Sequence, residues 1–538
     1  MADNTENVTN TNVSIPTKEN PQAVQVVGPP LVQFFGRKVL YDDFSEEEVN
    51  STNVEENIKI ISRILTDVWS LHNENAGEIK YLESYYRGYQ PILGKTKEVR
   101  PSINNMVVEN NAYFVVNFKV GYVFGEPIQY VQRGDVSNPE VGILNSYVLA
   151  EDKYAKDSEL AESIYTNGIA HRLVLPEINE DSPFDIENLD SKTTFIVYSS
   201  DIKNKPLIGV TYTKGFRTSI IKGSIYTRTG YYEFDTTSLG GTFNVRFVKP
   251  HYLGVIPIFE YHINKWRQGI VEVVMSIFNA LNRIASGDLD GLEQYVQSIM
   301  VFLNQEIDPE TYKDVLNLGA VEINTADPAR PADVKLIQNE LDHKNTEVLH
   351  NRLLNLALTI IGIPNITSKS TGGDTGEARA LGDGWTMAEK RAKQDEMAFK
   401  KCSKEEIKLI LKICRLTPKS GINTLTIKDI DQKMPRNKSD NFLTKAQGMM
   451  NLISSGVSPD VAFNASGAFS DSNEAYTKSM EFYGGIENWI NRFIAKQSGV
   501  TGNMSASLNQ RTSSPDVVEE NNEEKDDEEK VNKDNNED

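Results

Sequence analysis

Cysteine is nearly absent from this chain: Cys402 and Cys414 are the two it has in 538 residues. They lie twelve apart in a helical pattern with no histidines clustered beside them, which excludes both a disulfide framework and a zinc site and fits a reducing compartment. Long apolar runs are also missing. Residues 271–285 and 353–363 are the most apolar stretches, but one is interrupted by charge and the other is too short to span a bilayer. The N-terminus has no basic region followed by an apolar run, so no secretion signal or membrane segment is expected. The six histidines, at 72, 171, 251, 262, 343 and 350, contain no HExxH pair. His343 and His350 are about two helical turns apart, too far to share one zinc ion unaided.

Catalytic signatures are equally scarce. Gly94-Lys95-Thr96 looks like the end of a nucleotide-binding loop, but the glycine needed five positions earlier is Tyr89, and Pro91 interrupts the run. Gly372-Gly373-Asp374-Thr375-Gly376 has no Lys-Ser/Thr after it and reads as a flexible segment. Asp288, Asp290 and Glu293 read as a hydrated face or as contacts between subunits. Nothing resembles a G-x-S-x-G nucleophile elbow. No enzyme, metal or cofactor is expected.

Basic residues are in deficit, 56 against 76 acidic, for a net charge of −20. From Glu519 to Asp538 there are eleven acidic and three basic residues, so −8 of the total lies in a tail that cannot bury enough apolar surface to fold alone. This balance argues against a protein that grips duplex DNA by counterion release.

What is present is a sequence of regular patterns. Residues 1–50 are rich in Asn, Thr, Val and Glu with four prolines and read as a mobile arm, with order beginning near Ser51. Ile58, Ile61, Ile64, Leu65, Val68 and Leu71 predict a helix over 54–71. Ile103, Val107, Phe114, Val115, Phe118 and Tyr122 share one helical face that ends before Pro127. Residues 193–259 alternate in short β-branched and aromatic runs, predicting an antiparallel sheet. A helical period over 265–290, carried by Trp266, Ile270, Val273, Val274, Ile277, Leu281 and Ile284, predicts a rod of about 30 Å. Residues 297–324 suggest a strand, a short helix around 309–316 and a second strand. Another rod follows over 332–361, ended by Pro364. Then come a Gly- and Thr-rich segment, a charged helix over 385–416, and short helices over 443–497 containing Met449, Met450, Ile453, Phe482, Trp489 and Phe493. No repeat of 20 to 50 residues is visible.

Residues 85–130 join a Tyr-rich turn, an Asn pair opening an amphipathic helix, and a closing Gly121-Tyr122-Val123-Phe124-Gly125-Glu126-Pro127-Ile128. This combination is similar to the wing region of SPP1-like phage portal proteins. Gly254-Val255-Ile256-Pro257 resembles the lead-in to such a protein's first stem helix, and Thr375-Gly376-Glu377-Ala378 is a close variant of its Ser-Gly-x-Ala signature.

The resemblance implies an α+β, mostly helical portal fold with a wing, a two-helix stem, a small α/β clip, a tunnel loop and a C-terminal helical crown. Mapped onto this chain it gives an arm at 1–50, wing at 51–264, first stem helix at 265–290, clip at 291–331 and second stem helix at 332–363. The tunnel loop then falls at 364–384, a long wing helix and following segment at 385–440, crown helices at 441–497 and a disordered acidic tail at 498–538. The channel-facing candidates are Ser368, Lys369, Ser370, Thr371, Gly372, Gly373, Asp374 and Thr375. In the clip, Asn304, Gln305, Glu306, Asp308, Glu310 and Lys313 are the docking candidates. Lys369 is the only basic residue between Pro364 and Arg379, so a ring would repeat it as a collar that touches phosphates transiently; an exposed lysine with no DNA contact is the equal alternative.

The implied function is a passive conduit: a ring of about twelve copies at one capsid vertex, assembled in the host cytoplasm and carried in the virion. Its implied partners are the terminase large subunit, head-completion or adaptor proteins, major capsid and scaffolding proteins, and double-stranded DNA passing without sequence specificity. A weakly repulsive acidic wall suits DNA that must slide. Two alternatives differ in class: a ring-forming neck component without motor docking, and a DNA-processing enzyme, for which no site motif exists.

Overall fold

The computed structural model describes residues 34–491 except 99–100, 134–137, 178–180, 216–219, 238–241, 297–298, 304–332, 338–342, 366–383, 437–441, 470–471 and 490. It is mixed α/β, about half helical with small sheets, rather than mostly helical. Two compact units divide at residue 440.

The first unit starts earlier than the sequence suggests. Strand β1 (Leu40–Asp42) and helix α1 (Glu46–Val49) lie within the expected arm. A reciprocal capping box between Ser45 and Glu48 starts α1, and β1 pairs in parallel with β5 (Thr194–Ser199). Helix α2 runs Val54–Tyr86, fifteen residues past the expected end, because Asn75, Ile79, Leu82 and Tyr85 continue its buried face. Asn53 caps it by accepting from the N–H groups of Glu55 and Glu56.

The meander expected over 193–259 forms. Strands β5, β6 (Pro206–Lys214), β7 (Ile220–Tyr226), β8 (Gly230–Thr237) and β9 (Asn244–Pro250) follow each other antiparallel, with β1 on the outer edge of β5. Its inner face packs on α2 around Trp69, whose ring lies 5.1 Å from Phe243 and 5.2 Å from Tyr212. A second, three-stranded sheet has the order β10 (Ile258–Tyr261), β3 (Ala170–Pro176), β4 (Phe184–Leu189). Strands β3 and β4 are not expected from the sequence.

The expected helix around 103–122 is shorter. Helix α3 covers Asn111–Phe124, and Ile103 and Val107 precede it in non-helical backbone. Strand β2 (Gln129–Gln132), α4 (Glu140–Ala150) and α5 (Lys153–Asn167) follow. Gly168 ends α5 at φ +85°, where an added Cβ would meet the Arg267 carbonyl oxygen at 2.0 Å.

Helix α6 covers Ile270–Val296 rather than starting near Lys265. Asn264 holds the preceding residues in a turn by accepting from the N–H groups of Trp266 and Gln268, and Arg267 has φ 53°. The apolar stripe is also imperfect, since Val273 is 45% exposed. After α6, β11 (Ile299–Leu303) pairs antiparallel with β12 (Asp333–Ile337). Val334 and Ile337, expected on the second rod, are therefore strand residues, and the rod proper is α7 (His343–Ile361). The short helix expected around 309–316 lies outside the described residues. Helix α8 spans Trp385–Leu416, the bounds expected from sequence, and β13 (Ile430–Lys433) pairs antiparallel with β2.

In the second unit, α9 (Phe442–Ser454), α10 (Pro459–Ser466) and α11 (Ser472–Tyr483) are the expected short helices. Phe463 stacks on Phe469 at 5.4 Å and meets Tyr476 edge-on at 6.0 Å. Phe493 lies outside the described residues.

Trp69 is the hub between α2 and the meander. Trp69→Ala is expected to lower unfolding stability by about 3–5 kcal/mol, measured from denaturant midpoints, and a loss below about 1 kcal/mol would show that the sheet does not depend on it.

Candidate functional site

Helix α6 carries two side-chain sets with opposite tasks. On one, Val271, Val274, Met275, Phe278 and Leu281 enter the main apolar core. On the other, Asn279, Asn282, Ser286 and Asp290 recur at helical spacing and are all nearly inaccessible to solvent. Buried polar groups need partners, and these find them in residues 85–110. Three alternate backbone N–H groups dock in register: Asn105 donates to Asp290 Oδ1 at 2.7 Å, Val107 to Ser286 Oγ at 2.9 Å and Glu109 to Asn282 Oδ1 at 3.1 Å. Steps of two along an extended chain, about 6.6 Å, match steps of four along a helix, about 6 Å. That match explains why 105–109 stays extended where a helix was expected.

Both ends of this zipper are fastened. Asn282 also donates to Gln90 Oε1, Gln90 donates to Asn110 Oδ1 at 3.1 Å, and Asn110 donates to the Tyr86 carbonyl at 3.1 Å. At the other end, Lys95 and Lys97 each place Nζ 2.6 Å from Asp290 Oδ2. Burial alone would raise the Asp290 pKa, but hydrogen bonds from both lysines and Asn105 outweigh it and hold the carboxyl at about 2. Asp290 is thus an internal anchor, which corrects its reading as a hydrated face. Lys95 is committed to it, so the Gly94-Lys95-Thr96 run offers no free cation for a phosphate.

The start of α6 is fixed separately. Arg37 and Glu272, both buried, pair at 2.6 Å, and the Gly36 N–H donates to Glu272 at 2.9 Å. Gly36, at φ +91°, lies so close to the Trp266 carbonyl that an added Cβ would stand 2.0 Å from its oxygen.

Helix α7 packs beside α6, with Ala357, Leu358 and Ile361 in the same core. His350 Nε2 reaches Glu109 Oε1 at 2.7 Å, tying α7 to the zipper. The rest of this helix pair is unusually apolar for a surface. Leu349, Leu356 and Ile360, 48%, 48% and 39% exposed, fall on one stripe of α7, and Leu289 and Leu292 lie exposed on one side of α6.

A buried charge cluster joins α5, β3 and α8. Asp157 receives Lys153 at 2.7 Å and Arg172 at 2.5 Å, and Glu406 lies 3.4 Å from Arg172 and 3.6 Å from Lys153. Tyr261 donates its hydroxyl to Glu406. Burial works against the Asp157 carboxylate, yet the two cations hold its pKa below the ordinary range. With two positive and two negative side chains sealed together, the cluster can fix an arrangement but has no open position for a substrate.

The remaining candidates are structural. His72 bonds the Tyr212 hydroxyl at 3.0 Å and His171 the Ser191 hydroxyl at 3.0 Å, with burial pushing their pKa values down to about 3 and about 4. Burial pushes the Cys414 thiol up to about 12, making it a poor nucleophile. Among the described residues, no group of three His, Cys, Asp or Glu side chains could hold a metal, and no helix is long and apolar enough to cross a membrane. The expected channel residues, Ser368 to Thr375, lie outside the described residues, as do Thr375-Gly376-Glu377-Ala378 and the docking set Asn304, Gln305, Glu306, Asp308, Glu310 and Lys313. Of the zipper residues of α6 only Asp290 is singled out by the sequence, with another role; Asn282, Ser286 and the Arg37–Glu272 pair are not. The signal for Asn282 and Ser286 was available as polar residues spaced three and four apart on a largely apolar helix.

The family model described as "Phage portal protein, SPP1 Gp6-like" matches residues 66–463. The chain belongs to this family. A portal is a structural protein, not an enzyme. No curated protein matches. Among solved structures, a chain in "Neck of empty GTA particle computed with C6 symmetry" is 12% identical with a TM-score of 0.39, covering 67% of this chain and 91% of its own. A chain in "Virion of native gene transfer agent (GTA) particle" is 12% identical with a TM-score of 0.38, covering 68% and 91%.

Asp290→Asn tests the zipper. Because the folded carboxyl titrates below its unfolded value of about 4, its stabilisation is complete above about pH 4 and is lost as pH falls towards 2. The portal variant is expected to be less stable at neutral pH by about 2–4 kcal/mol and to show a shallower decline over that acid range. Equal acid limbs in denaturation series of both proteins would contradict the anchor.

Proposed function

We propose that this portal chain is the repeating subunit of a closed ring of about twelve copies that forms the DNA channel at one capsid vertex. In this reading α6 and α7 are the stem, residues 291–331 the clip, 364–384 the tunnel loop, 51–264 with 385–440 the wing, and 441–497 the crown. The terminase large subunit docks on the clip during packaging, and head-completion or adaptor proteins replace it before ejection. The energy comes from ATP hydrolysed by the motor.

The observation that carries the proposal is the exposed apolar stripe of α7, with further exposed leucines, Leu289 and Leu292, near the C-terminal end of α6. A rod pair that is zipped rigidly on one side and left apolar on another suits a heterologous contact, in which one surface meets a different surface of the next copy and rotation closes the ring. Single exposed leucines are ordinary; a stripe on adjacent long helices is what a ring interface needs.

Leu349→Asp with Leu356→Asp places charges on that stripe without touching the core. Analytical ultracentrifugation of the full chain is expected to show rings for the parent protein and folded monomers for the variant. Rings that survive both charges would remove the stripe from the interface. Lys369→Ala is expected to leave ring formation intact while changing DNA retention in a packaging assay, and unchanged retention would remove the collar role.

A further inference from the structure

The two faces of α8 differ sharply. One buries Ala388, Ala392, Phe399, Ser403, Glu406, Ile407, Ile410 and Cys414. The opposite face carries Lys390, Lys393, Met397, Lys401, Lys404 and Lys408, spaced three or four apart along about 27 Å of helix. All five lysines are exposed, and Met397 in their midst is 65% exposed. Lys408 is neutralised by Glu405 at 2.6 Å, and Lys393 lies 4.0 Å from Glu389. Lys390, Lys401 and Lys404 form no ion pair among the described residues. In a chain of net charge −20, a collinear run of uncompensated cations is a local reversal of sign.

We propose that this lysine stripe is a docking line for the phosphate backbone of duplex DNA, without base readout. The three uncompensated ammonium groups stand about 16 Å and about 4.5 Å apart along the helix axis. A duplex carries phosphates densely on both of its strands, and long flexible lysine side chains reach them without a fixed spacing. An acidic peptide would have to match that uneven spacing and lose conformational freedom in doing so. The stripe has no guanidinium fork or hydrogen-bonding amide suited to base edges, so it reads charge alone. The acidic remainder of the chain repels DNA elsewhere and confines the contact to this line. This inference goes beyond the conduit reading, and its failure would leave the ring untouched.

The test is the salt dependence of binding between the full-length protein and a labelled 30-base-pair duplex of arbitrary sequence, by fluorescence anisotropy. Lys390→Ala, Lys401→Ala and Lys404→Ala are combined in one variant, since alanine keeps an exposed helix intact. Each lost phosphate contact reduces the slope of log K against log salt by about 0.9. The triple variant is therefore expected to lose about 2.7 in slope per contacting chain, while the corresponding triple arginine variant keeps the parent slope. Assembly state, followed by light scattering, should be equal in all three proteins. Equal slopes for parent and alanine variant, or no duplex binding at low salt, would overturn the proposal. So would tighter binding of polyglutamate of equal charge, which would assign the stripe to an acidic protein segment. A changed assembly state with unchanged DNA binding would also overturn it and place the stripe between subunits.

Discussion

Helix α6 has to be held rigidly along its length while leaving other surface free, and its main chain cannot help, because a helix uses its own N–H and C=O groups internally. The solution in this chain is a column of polar side chains, Asn282, Ser286 and Asp290, that accept the alternate N–H groups of residues 105, 107 and 109. The near-equality of two extended residues and one helical turn keeps the register over three contacts. Lysines 95 and 97 then lock the distal end onto one carboxylate. Much of the surrounding structure follows from this constraint: the turn after α2, the late start of α3 and the attachment of α7 through His350 and Glu109.

The rest of the first unit is assembled by a few sealed ion pairs between distant segments. Arg37 to Glu272 fixes the entry to α6, and the Lys153, Asp157, Arg172 and Glu406 cluster joins α5 and β3 to α8. Such groups add little net stability over well-packed apolar ones, but removing a single partner strands a buried charge. In a subunit that must present the same surfaces in every copy, that intolerance of alternatives is a useful property.

The sequence made local regularities legible. Helix α8 has its expected bounds because Gly and Thr before it and Thr417-Pro418 after it punctuate a continuous helical pattern. The meander was visible in alternation, and the family in residues 85–130. Non-local pairing was not legible. The expected helix through Ile103 and Val107 is extended because its N–H groups belong to a helix some 180 residues away. Val334 and Ile337 fit a helical stripe as well as a strand, and Ile299–Leu303 decides between them by pairing. Asp290 looked like one of several surface carboxylates because burial by Lys95 and Lys97 leaves no trace in its neighbours in sequence. The expected loop and clip positions lie outside the described residues, so the site legible in the structure is the framework around them.

In the proposed ring α6 and α7 meet neighbouring copies. Electron cryo-microscopy of the purified full-length protein tests this most directly. The expected result is a closed ring, about twelve-fold, with a central hole wide enough for a duplex about 20 Å across and with Leu349, Leu356 and Ile360 covered by the adjacent chain. A ring that leaves those three side chains in solvent, or particles that remain monomeric at every concentration and salt condition, would contradict it.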